Sequence, residues 1–292
     1  MMKVLLIGAN GQVGQELRHS LATLGIVQTT TRQTLELSQP ETIIATVKAL
    51  SPEIIVNAAA YTAVDKAESE ADLAHHINGY APQILAETAK EMGAYLIHLS
   101  TDYVFDGSQS SPYQPSDTPH PLGVYGQTKR AGEKAIEQSG CEYLILRTAW
   151  VYGNQGSSNF VKTMLRLGKE RQEIRVVADQ IGSPTWARDI ATAIAVLVKK
   201  RATGIYHYTN SGVASWYDFA VAIFAEAQAL GIPLQVQRVV PITTADYPTA
   251  ARRPAYSILC HRKLVDIMGD YPPHWRQSLQ HMLQEGQSMG IF

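Results

Sequence analysis

Residues 4–14 of the chain read Val4-Leu5-Leu6-Ile7-Gly8-Ala9-Asn10-Gly11-Gln12-Val13-Gly14. An apolar run that passes directly into spaced glycines predicts a buried strand, a tight turn and the start of a helix. Glycines let the turn tighten and let a pyrophosphate approach the amides at the helix N-terminus. The same spacing occurs in ordinary glycine-rich turns, but its position directly after the first apolar run favours a dinucleotide site.

Strand and helix patterns alternate through the first half of the chain. Helical apolar stripes, such as the one through Val13, Leu17, Leu21 and Leu24, separate the predicted buried strands. These strands are Val4–Ile7, Ile54–Val56, Tyr95–Leu99 and Tyr143–Leu146. The alternation predicts an α/β fold with a Rossmann-like, doubly wound parallel sheet and helices on both faces.

The pattern loosens after about residue 150. Helices are predicted at 159–169, 188–200, 215–230 and near 275–285, and strands at 174–177, 205–208 and 234–240. We therefore expect two domains. Residues 1–150 would form the dinucleotide-binding domain, and residues 151–292 would form mainly a smaller α/β substrate-binding domain with segments that weave back into the first.

Composition narrows the function classes. A hydrophobic content of 45%, a charged content of 17% and a net charge of -1 are ordinary for a globular protein and give no reason to expect a nucleic-acid or anionic-membrane partner. The sequence lacks an apolar run of about 18 residues, so we expect no membrane span. Cys141 and Cys260 have neither metal-ligand spacing nor a disulfide pattern, which favours a reducing, cytoplasmic location and predicts no metal site.

The segment after the second strand bears on which dinucleotide binds. It reads Thr29-Thr30-Thr31-Arg32, with no acidic residue before Glu36. NAD sites usually place an acid here to hold the ribose hydroxyls, whereas an arginine can pair with a 2′-phosphate. NADPH is therefore the favoured cofactor and NADH stays open, with Arg32 as a solvated surface residue being the alternative interpretation.

Three further residues predict the chemistry. Tyr125 and Lys129 are four residues apart, so that on a helix they share a face. A fixed cation beside a phenol favours the phenolate and lowers its pKa, which would allow Tyr125 to transfer a proton to a developing alkoxide. Thr101 ends a predicted strand at the edge where ligands bind in open α/β sheets, and its hydroxyl can hydrogen-bond to a substrate carbonyl oxygen.

These elements together resemble the short-chain dehydrogenase/reductase superfamily in its extended, sugar-nucleotide-modifying form. Longer sequence motifs more specifically resemble those of the reductases of dTDP-linked 4-keto-6-deoxy-hexoses. This resemblance covers nearly the whole chain. The motifs include 56–68, 100–107, 147–153, 179–185, 204–208 and 253–257.

The resemblance implies a residue for each task. Tyr125 would be the proton donor, Lys129 would hold the nicotinamide ribose and lower the pKa of the tyrosine, and Thr101 would assist. The other expected cofactor contacts are Gly8, Asn10, Gly11, Gln12, Val13, Gly14, Arg32, Ala58, Ala59, Ala60 and Thr62. The expected substrate contacts are Thr101, Asp102, Trp150 and Arg253, with the Arg253 guanidinium suited to a diphosphate.

The sequence departs from the family pattern in two places and leaves other readings open. The acid after the second strand is missing, and Arg252 stands where a serine is more usual. A sugar-nucleotide epimerase or dehydratase and a non-catalytic, NADP-binding regulatory subunit are the competing functions. The resemblance also allows a homodimer and a divalent Mg²⁺ at a subunit contact, with Glu16 as a candidate ligand, although a lone glutamate usually marks a solvated helix face.

Overall fold

A sheet of six parallel strands forms the centre of the computed structural model, which describes residues 2–292. Three pairs of short strands lie outside this sheet. In chain order the strands are β1 (Met2–Ile7), β2 (Gly25–Thr30), β3 (Ile54–Asn57), β4 (Tyr95–Thr101), β5 (Tyr143–Thr148), β6 (Val151–Tyr152), β7 (Glu173–Val177), β8 (Ile181–Gly182), β9 (Thr185–Trp186), β10 (Gly204–His207), β11 (Ala214–Ser215) and β12 (Arg238–Ile242).

Helices connect these strands. In chain order they are α1 (Gln12–Ala22), α2 (Pro40–Leu50), α3 (Val64–Ala67), α4 (Ala71–His75), α5 (Ala81–Met92), α6 (Val124–Ser139), α7 (Phe160–Glu170), α8 (Ala187–Lys199), α9 (Trp216–Ala229), α10 (Arg262–Met268) and α11 (Trp275–Ser288). A π-helical turn, His76–Tyr80, joins α4 to α5.

The strand order of the central sheet is β10-β5-β4-β3-β1-β2. After β1 the chain crosses outward to β2 and then returns to β3 on the other side of β1, so the direction of winding reverses between β1 and β3. In open α/β sheets the crevice at such a switch point is where ligands bind. The predicted fold class is confirmed, and the predicted glycine turn follows the strand beside the switch point.

Each face of the sheet carries its own apolar core, because successive residues of a strand point to opposite faces. Val4 and Leu6 pack with α1 and α8, and Leu5 and Ile7 pack with α2, α5 and α6. The helix α8 and the edge strand β10 both come from the second half of the chain. That half also has a core of its own, formed mainly by α7, α9 and α11.

The predicted strand at 234–240 is partly wrong. The strand β12 begins only at Arg238 and pairs in parallel with β7. The residues before it bond elsewhere, since the amides of Gln235 and Val236 both donate to the carbonyl of Gly168 at the end of α7. Backbone amides used in this way cannot extend a strand ladder.

No helix within residues 2–292 is long and apolar enough to cross a membrane.

A buried ion pair fastens α6 to the sheet. Arg147 of β5 donates from Nε and Nη2 to the two oxygens of Glu133, both at 2.8 Å. The side chain of Arg147 is 1% exposed and that of Glu133 is fully buried. Burial raises the pKa of Glu133, but the hydrogen bonds and charge of Arg147 outweigh this, so the net pKa lies below its ordinary value.

We expect Arg147→Met to destabilise the fold by about 3–5 kcal/mol, because the buried Glu133 carboxylate loses both bonds to Arg147 and keeps only that from Arg130 Nη1 at 3.1 Å. The matched control is Arg166→Met, which removes an exposed helical pair with Glu170 and should cost less than about 1 kcal/mol. Urea unfolding measures both variants. Equal losses would show that burial does not set the strength of the Arg147–Glu133 pair.

Candidate active site

A cleft of about 640 Å³ lies at the carboxyl ends of the central strands. One end reaches the segment after β2, and the other end reaches the start of α6. The predicted cofactor residues that line it are Gly8, Asn10, Gly11, Gln12, Val13, Arg32, Ala58, Ala59, Ala60, Thr62, Tyr125 and Lys129. The structure therefore brings the glycine turn and the tyrosine–lysine pair into one continuous space.

The three glycines of the turn have different roles. Gly8 has a φ of +81°, and a Cβ there would lie 2.7 Å from the backbone nitrogen of Ala59. A Cβ on Gly14 would lie 2.1 Å from the carbonyl oxygen of Gly8. Gly14 therefore allows the helix to pack closely against the turn, and it does not line the cleft. A Cβ on Gly11 would meet its nearest heavy atom, Gly8 O, at 3.4 Å. Gly11 caps α1, whose first amides face the cleft and suit a phosphate.

The segment after β2 supplies both a cation and an anion. Arg32 Nε donates to Glu36 Oε2 at 3.1 Å, and both residues line the cleft. Partial burial raises the pKa of Glu36, but hydrogen bonds from Arg32 and Ser38 lower it further, so the group is a carboxylate at neutral pH. An acidic residue therefore does reach this end of the cleft, four positions beyond the place where the sequence pattern sought it.

Small residues after β3 shape the middle of the cleft. Ala58, Ala59 and Ala60 form the wall opposite the glycine turn. Asn78, from the π-helical turn, accepts from the Tyr61 amide at 2.9 Å and donates to the Tyr61 carbonyl at 3.0 Å. Asn78 is fully buried, and its side chain fixes the backbone at Tyr61, directly after these alanines.

The reactive end of the cleft is deeply buried. Tyr125 lies in the first turn of α6, and the edge of its ring meets Tyr103 at 5.6 Å between ring centroids. Burial raises the pKa of Tyr125 to about 12, and a hydrogen bond with Thr101 acts in the opposite direction. The phenol is therefore held in its protonated form, ready to donate.

Lys129 makes its polar side-chain contacts with β4. Its ammonium donates to the carbonyl of Leu99 at 2.6 Å and lies 3.1 Å from His98 Nε2. Burial lowers the pKa of Lys129 to about 8, and the charge of Glu133 opposes this. Burial is the largest influence on the pKa of both groups. The lowering of the Tyr125 pKa by Lys129 stays a prediction.

Thr101 and Asp102 follow β4 directly, beside Tyr125. Thr101 Oγ1 donates to Asp102 Oδ1 at 3.0 Å and accepts from the amide of Tyr103 at 3.2 Å. Burial raises the pKa of Asp102 to about 6, so it is mainly a carboxylate at neutral pH. Within residues 2–292 its buried Oδ2 has no hydrogen-bond partner. An acceptor in this state suits a hydroxyl-bearing ligand.

Trp150 is held in a strained conformation at the end of β5. It has a φ of +49°, a region that costs a bulky residue energy and is often found at functional sites. Its ring stacks on Trp216 at 3.5 Å between centroids and packs over Gly182, where a Cβ would lie 2.3 Å from the indole. Trp216 is partly buried, packs against the core of the second half and supports Trp150.

Arg253 is joined to the first half of the chain by an ion pair. Its Nη2 lies 2.8 Å from Asp65 Oδ2, and Nη1 donates to Asp65 Oδ1 at 3.2 Å. Asp65 also accepts from the amide of Ala251 at 3.1 Å. The predicted substrate residues Thr101, Asp102, Trp150 and Arg253 do not line the cofactor cleft. Thr101 and Asp102 lie close to Tyr125, and Arg253 lies close to Tyr103.

Sequence reasoning missed a loop that covers the glycine turn. Gly156, Ser157 and Ser158 line the cleft, and Asn159 Nδ2 donates to Gln12 Oε1 at 2.8 Å. Lys162 Nζ fastens the loop by donating to the carbonyls at 154 and 156, both at 2.7 Å. The polar, glycine-containing run that precedes the cap of α7 is a signal that could have indicated this loop.

Glu16 is not the solvated residue that the sequence suggested. It is 6% exposed, and its Oε2 accepts from Arg188 Nε at 3.1 Å. Arg188 also pairs with Glu285 at 2.5 Å. An arginine from the second half of the chain therefore supplies the counter-charge to Glu16 of α1. Residues 2–292 contain no cluster of three or more His, Cys, Asp or Glu side chains that could hold a metal. The Mg²⁺ at a subunit contact stays a prediction.

The sequence is similar to a known protein family over nearly its whole length. The family model described as "RmlD substrate binding domain" matches residues 2–288. The chain is 47% identical to the dTDP-4-dehydrorhamnose reductase of Burkholderia thailandensis over 95% of this chain and 97% of that protein. It is 45% identical to the enzyme of the same name from Escherichia coli, over 97% of this chain and 98% of that protein.

A solved structure agrees with the fold. The dTDP-4-dehydrorhamnose reductase of Bacillus anthracis, in complex with NADP, superposes with a TM-score of 0.91 at 39% identity, covering 98% of this chain and 100% of that chain. At this identity the likeness extends beyond the fold to the family.

The glycine roles can be separated by two substitutions. Gly14→Ala should lower thermal stability, because its methyl group would meet the Gly8 carbonyl at 2.1 Å. Gly11→Ala should leave thermal stability nearly unchanged, since its methyl group would have 3.4 Å to the nearest heavy atom, but weaken dinucleotide binding by about tenfold, since Gly11 lines the cleft. Thermal unfolding and nucleotide titration measure the two effects. A Gly11→Ala variant that binds normally would show that the dinucleotide does not approach this turn.

Proposed function

This chain belongs to the dTDP-4-dehydrorhamnose reductase family, the family of the RmlD substrate binding domain, and we propose that it reduces the 4-keto group of dTDP-4-dehydro-6-deoxy-L-mannose to give dTDP-L-rhamnose with NADPH. The observation that carries the proposal is that the glycine turn and the Tyr125–Lys129 pair line one cleft. A dinucleotide lying along this cleft would place its reactive ring beside a protonated phenol.

Different residues of the cleft suit different parts of the cofactor. The first amides of α1 and the open side of Gly11 suit the pyrophosphate. Arg32 suits a 2′-phosphate, and Glu36 suits ribose hydroxyls. Lys129, in reach of both His98 and the Leu99 carbonyl, would hold the nicotinamide ribose. The bound cofactor supplies the hydride to the 4-keto carbon.

The remaining steps belong to the protein. Tyr125 transfers its phenolic proton to the oxygen of the forming alcohol, and its raised pKa keeps that proton in place until the oxygen becomes basic. Thr101, close to Tyr125, would turn its hydroxyl hydrogen from Asp102 Oδ1 to the oxyanion and stabilise it. Asp102 offers its free Oδ2 to a sugar hydroxyl, and Trp150 packs beside the sugar ring.

The diphosphate of the sugar nucleotide would bind at Arg253. Its guanidinium is oriented by Asp65, which leaves part of its planar N–H surface for an anionic ligand. Reduction of this kind takes place in the cytoplasm in our proposal, and the two free cysteines, Cys141 and Cys260, agree with a reducing compartment.

The first experiment follows NADPH absorbance with dTDP-4-dehydro-6-deoxy-L-mannose, with parallel reactions in NADH and in EDTA. Oxidation that requires the sugar supports the proposal, and we expect EDTA to leave the rate unchanged. Binding of NADP without oxidation would favour a different keto sugar or a regulatory, non-catalytic subunit. Purified protein that retains NAD would favour an epimerase or dehydratase.

Tyr125→Phe should reduce kcat by about 100-fold or more with little change in cofactor affinity, because it removes only the transferable proton. Tyr143→Phe, a change of the same kind on β5 away from the cleft, is the control. Steady-state kinetics and NADPH titration measure both variants. Turnover within a few-fold of wild type in Tyr125→Phe would contradict the assigned role.

Cofactor preference should depend on the Arg32–Glu36 pair. Arg32→Ala should raise the KM for NADPH by about tenfold and leave that for NADH nearly unchanged, since only NADPH carries the 2′-phosphate. Glu36→Gln should raise the KM for NADH and leave or improve that for NADPH. If either variant changed the KM for NADPH and the KM for NADH by the same factor, the substituted residue would not distinguish a 2′-phosphate from a 2′-hydroxyl.

A further inference from the structure

We infer that Glu68 is a positioning residue for Tyr125, because its carboxylate caps the first turn of α6 and so fixes where the phenol lies. The inference rests on the proposed function, since it concerns the proton donor of that reaction. Glu68 follows α3 directly and is not among the residues that line the cleft.

The first turn of α6 lacks a cap of its own. A helix leaves its first four amides without an acceptor inside the helix. The residue before α6 is Gly123, which has no side chain to accept from them, and the first turn contains no acidic residue. The chain that leads into the helix gives little support, since residues 118–122 donate no hydrogen bond to another backbone group within residues 2–292.

Glu68 supplies the missing acceptor from 56 residues earlier in the chain. Its Oε1 accepts from the amide of Val124, the first residue of α6, at 2.9 Å. The carboxylate also occupies the space that a side chain at residue 123 would need. A Cβ on Gly123 would lie 2.6 Å from Glu68 Oε1, and the next residue that it would meet, Arg252, lies at 3.9 Å. A negative charge at a helix N-terminus is stabilising as well.

Tyr125 directly follows the capped residue, so the cap acts on the turn that carries the phenol. The same turn packs against the segment after β4, where a Cβ on Gly126 would lie 2.2 Å from the carbonyl oxygen of Tyr103. Close packing on Tyr103 and the hydrogen bond to Glu68 therefore both fix this turn. Because helix ends fray, loss of the bond should let the phenol move relative to Thr101.

Lys129, one turn later, is held by β4 instead. Its Nζ donates to the Leu99 carbonyl at 2.6 Å and lies 3.1 Å from His98 Nε2. The turn after it packs closely as well, since a Cβ on Gly132 would lie 2.2 Å from the carbonyl oxygen of Asn78. Loss of the Glu68 bond should therefore displace the proton donor and leave in place the lysine proposed to hold the nicotinamide ribose. The rate of reduction and the affinity for NADPH should then respond differently.

The test follows a single turnover of NADPH oxidation by dTDP-4-dehydro-6-deoxy-L-mannose, with protein in excess, in wild type and in Glu68→Ala. We expect the rate to fall by about fivefold or more, because small displacements of a reacting group are costly, and the Kd for NADPH to stay within about twofold. Glu68→Gln keeps an oxygen that can accept from Val124 and should restore most of the rate. A role in stability alone would lower the unfolding temperature and leave the rate per NADPH-binding site unchanged.

Glu53→Ala is the matched control. Glu53 is exposed like Glu68, and its Oε1 also accepts from one distant backbone amide, that of Lys3 at 3.0 Å. This bond lies at the amino ends of β1 and β3, whereas the cleft lies at the carboxyl ends, so the control should keep the wild-type rate. An active wild type and a Glu68→Ala variant with equal rates would overturn the inference alone. A wild type that oxidises no NADPH would overturn the proposed function, and the inference with it.

Gly123→Ala tests the geometry without removing the carboxylate. Its methyl group would lie 2.6 Å from Glu68 Oε1, so the carboxylate must move away from Val124 and the rate should fall as in Glu68→Ala. In the double variant the methyl group meets no carboxylate, so the rate should fall no further than in Glu68→Ala. A Gly123→Ala variant with the wild-type rate, or losses that multiply in the double variant, would contradict the inference.

Discussion

The close approach of the Gly8 turn to the backbone at Ala59 is the constraint on which the site depends. A side chain at residue 8 would lie 2.7 Å from the Ala59 nitrogen, so only glycine lets these two segments meet. They follow β1 and β3, the two strands between which the winding of the sheet reverses. The same contact therefore closes the switch point and sets the glycine turn against the wall of small residues that forms the cleft.

Much of this arrangement can be predicted from the sequence because it is local. An apolar run, spaced glycines and a tyrosine four residues before a lysine each specify backbone or side-chain positions within one element. The approach of Glu36 to the cleft could not be predicted in this way, since it depends on how the loop after β2 folds back. The burial of Glu16 likewise depends on Arg188, which is distant in sequence and comes from the second half.

Spacing also predicts proximity better than it predicts pKa. The sequence placed Tyr125 and Lys129 on one face of α6, and the structure brings both into the cleft. Their protonation follows burial instead: desolvation raises the pKa of the phenol and lowers that of the amine. A buried phenol that keeps its proton and a buried lysine that gives its proton up readily are both suited to proton transfer, by a different route from simple charge stabilisation.

The two halves of the chain contribute different residues to the site. The first half supplies the glycine turn, the small-residue wall and the Tyr125–Lys129 pair, and the second half adds the covering loop at 156–158. Trp150 packs against Gly182 and Trp216, and Arg253 forms an ion pair with Asp65. Gly182 and Trp216 lie outside the central sheet, although the same half also supplies its edge strand β10 and the helix α8. Substitution of Gly182 or Trp216 should therefore change the position of Trp150 and leave the central sheet and the glycine turn intact, because neither residue contributes to that sheet.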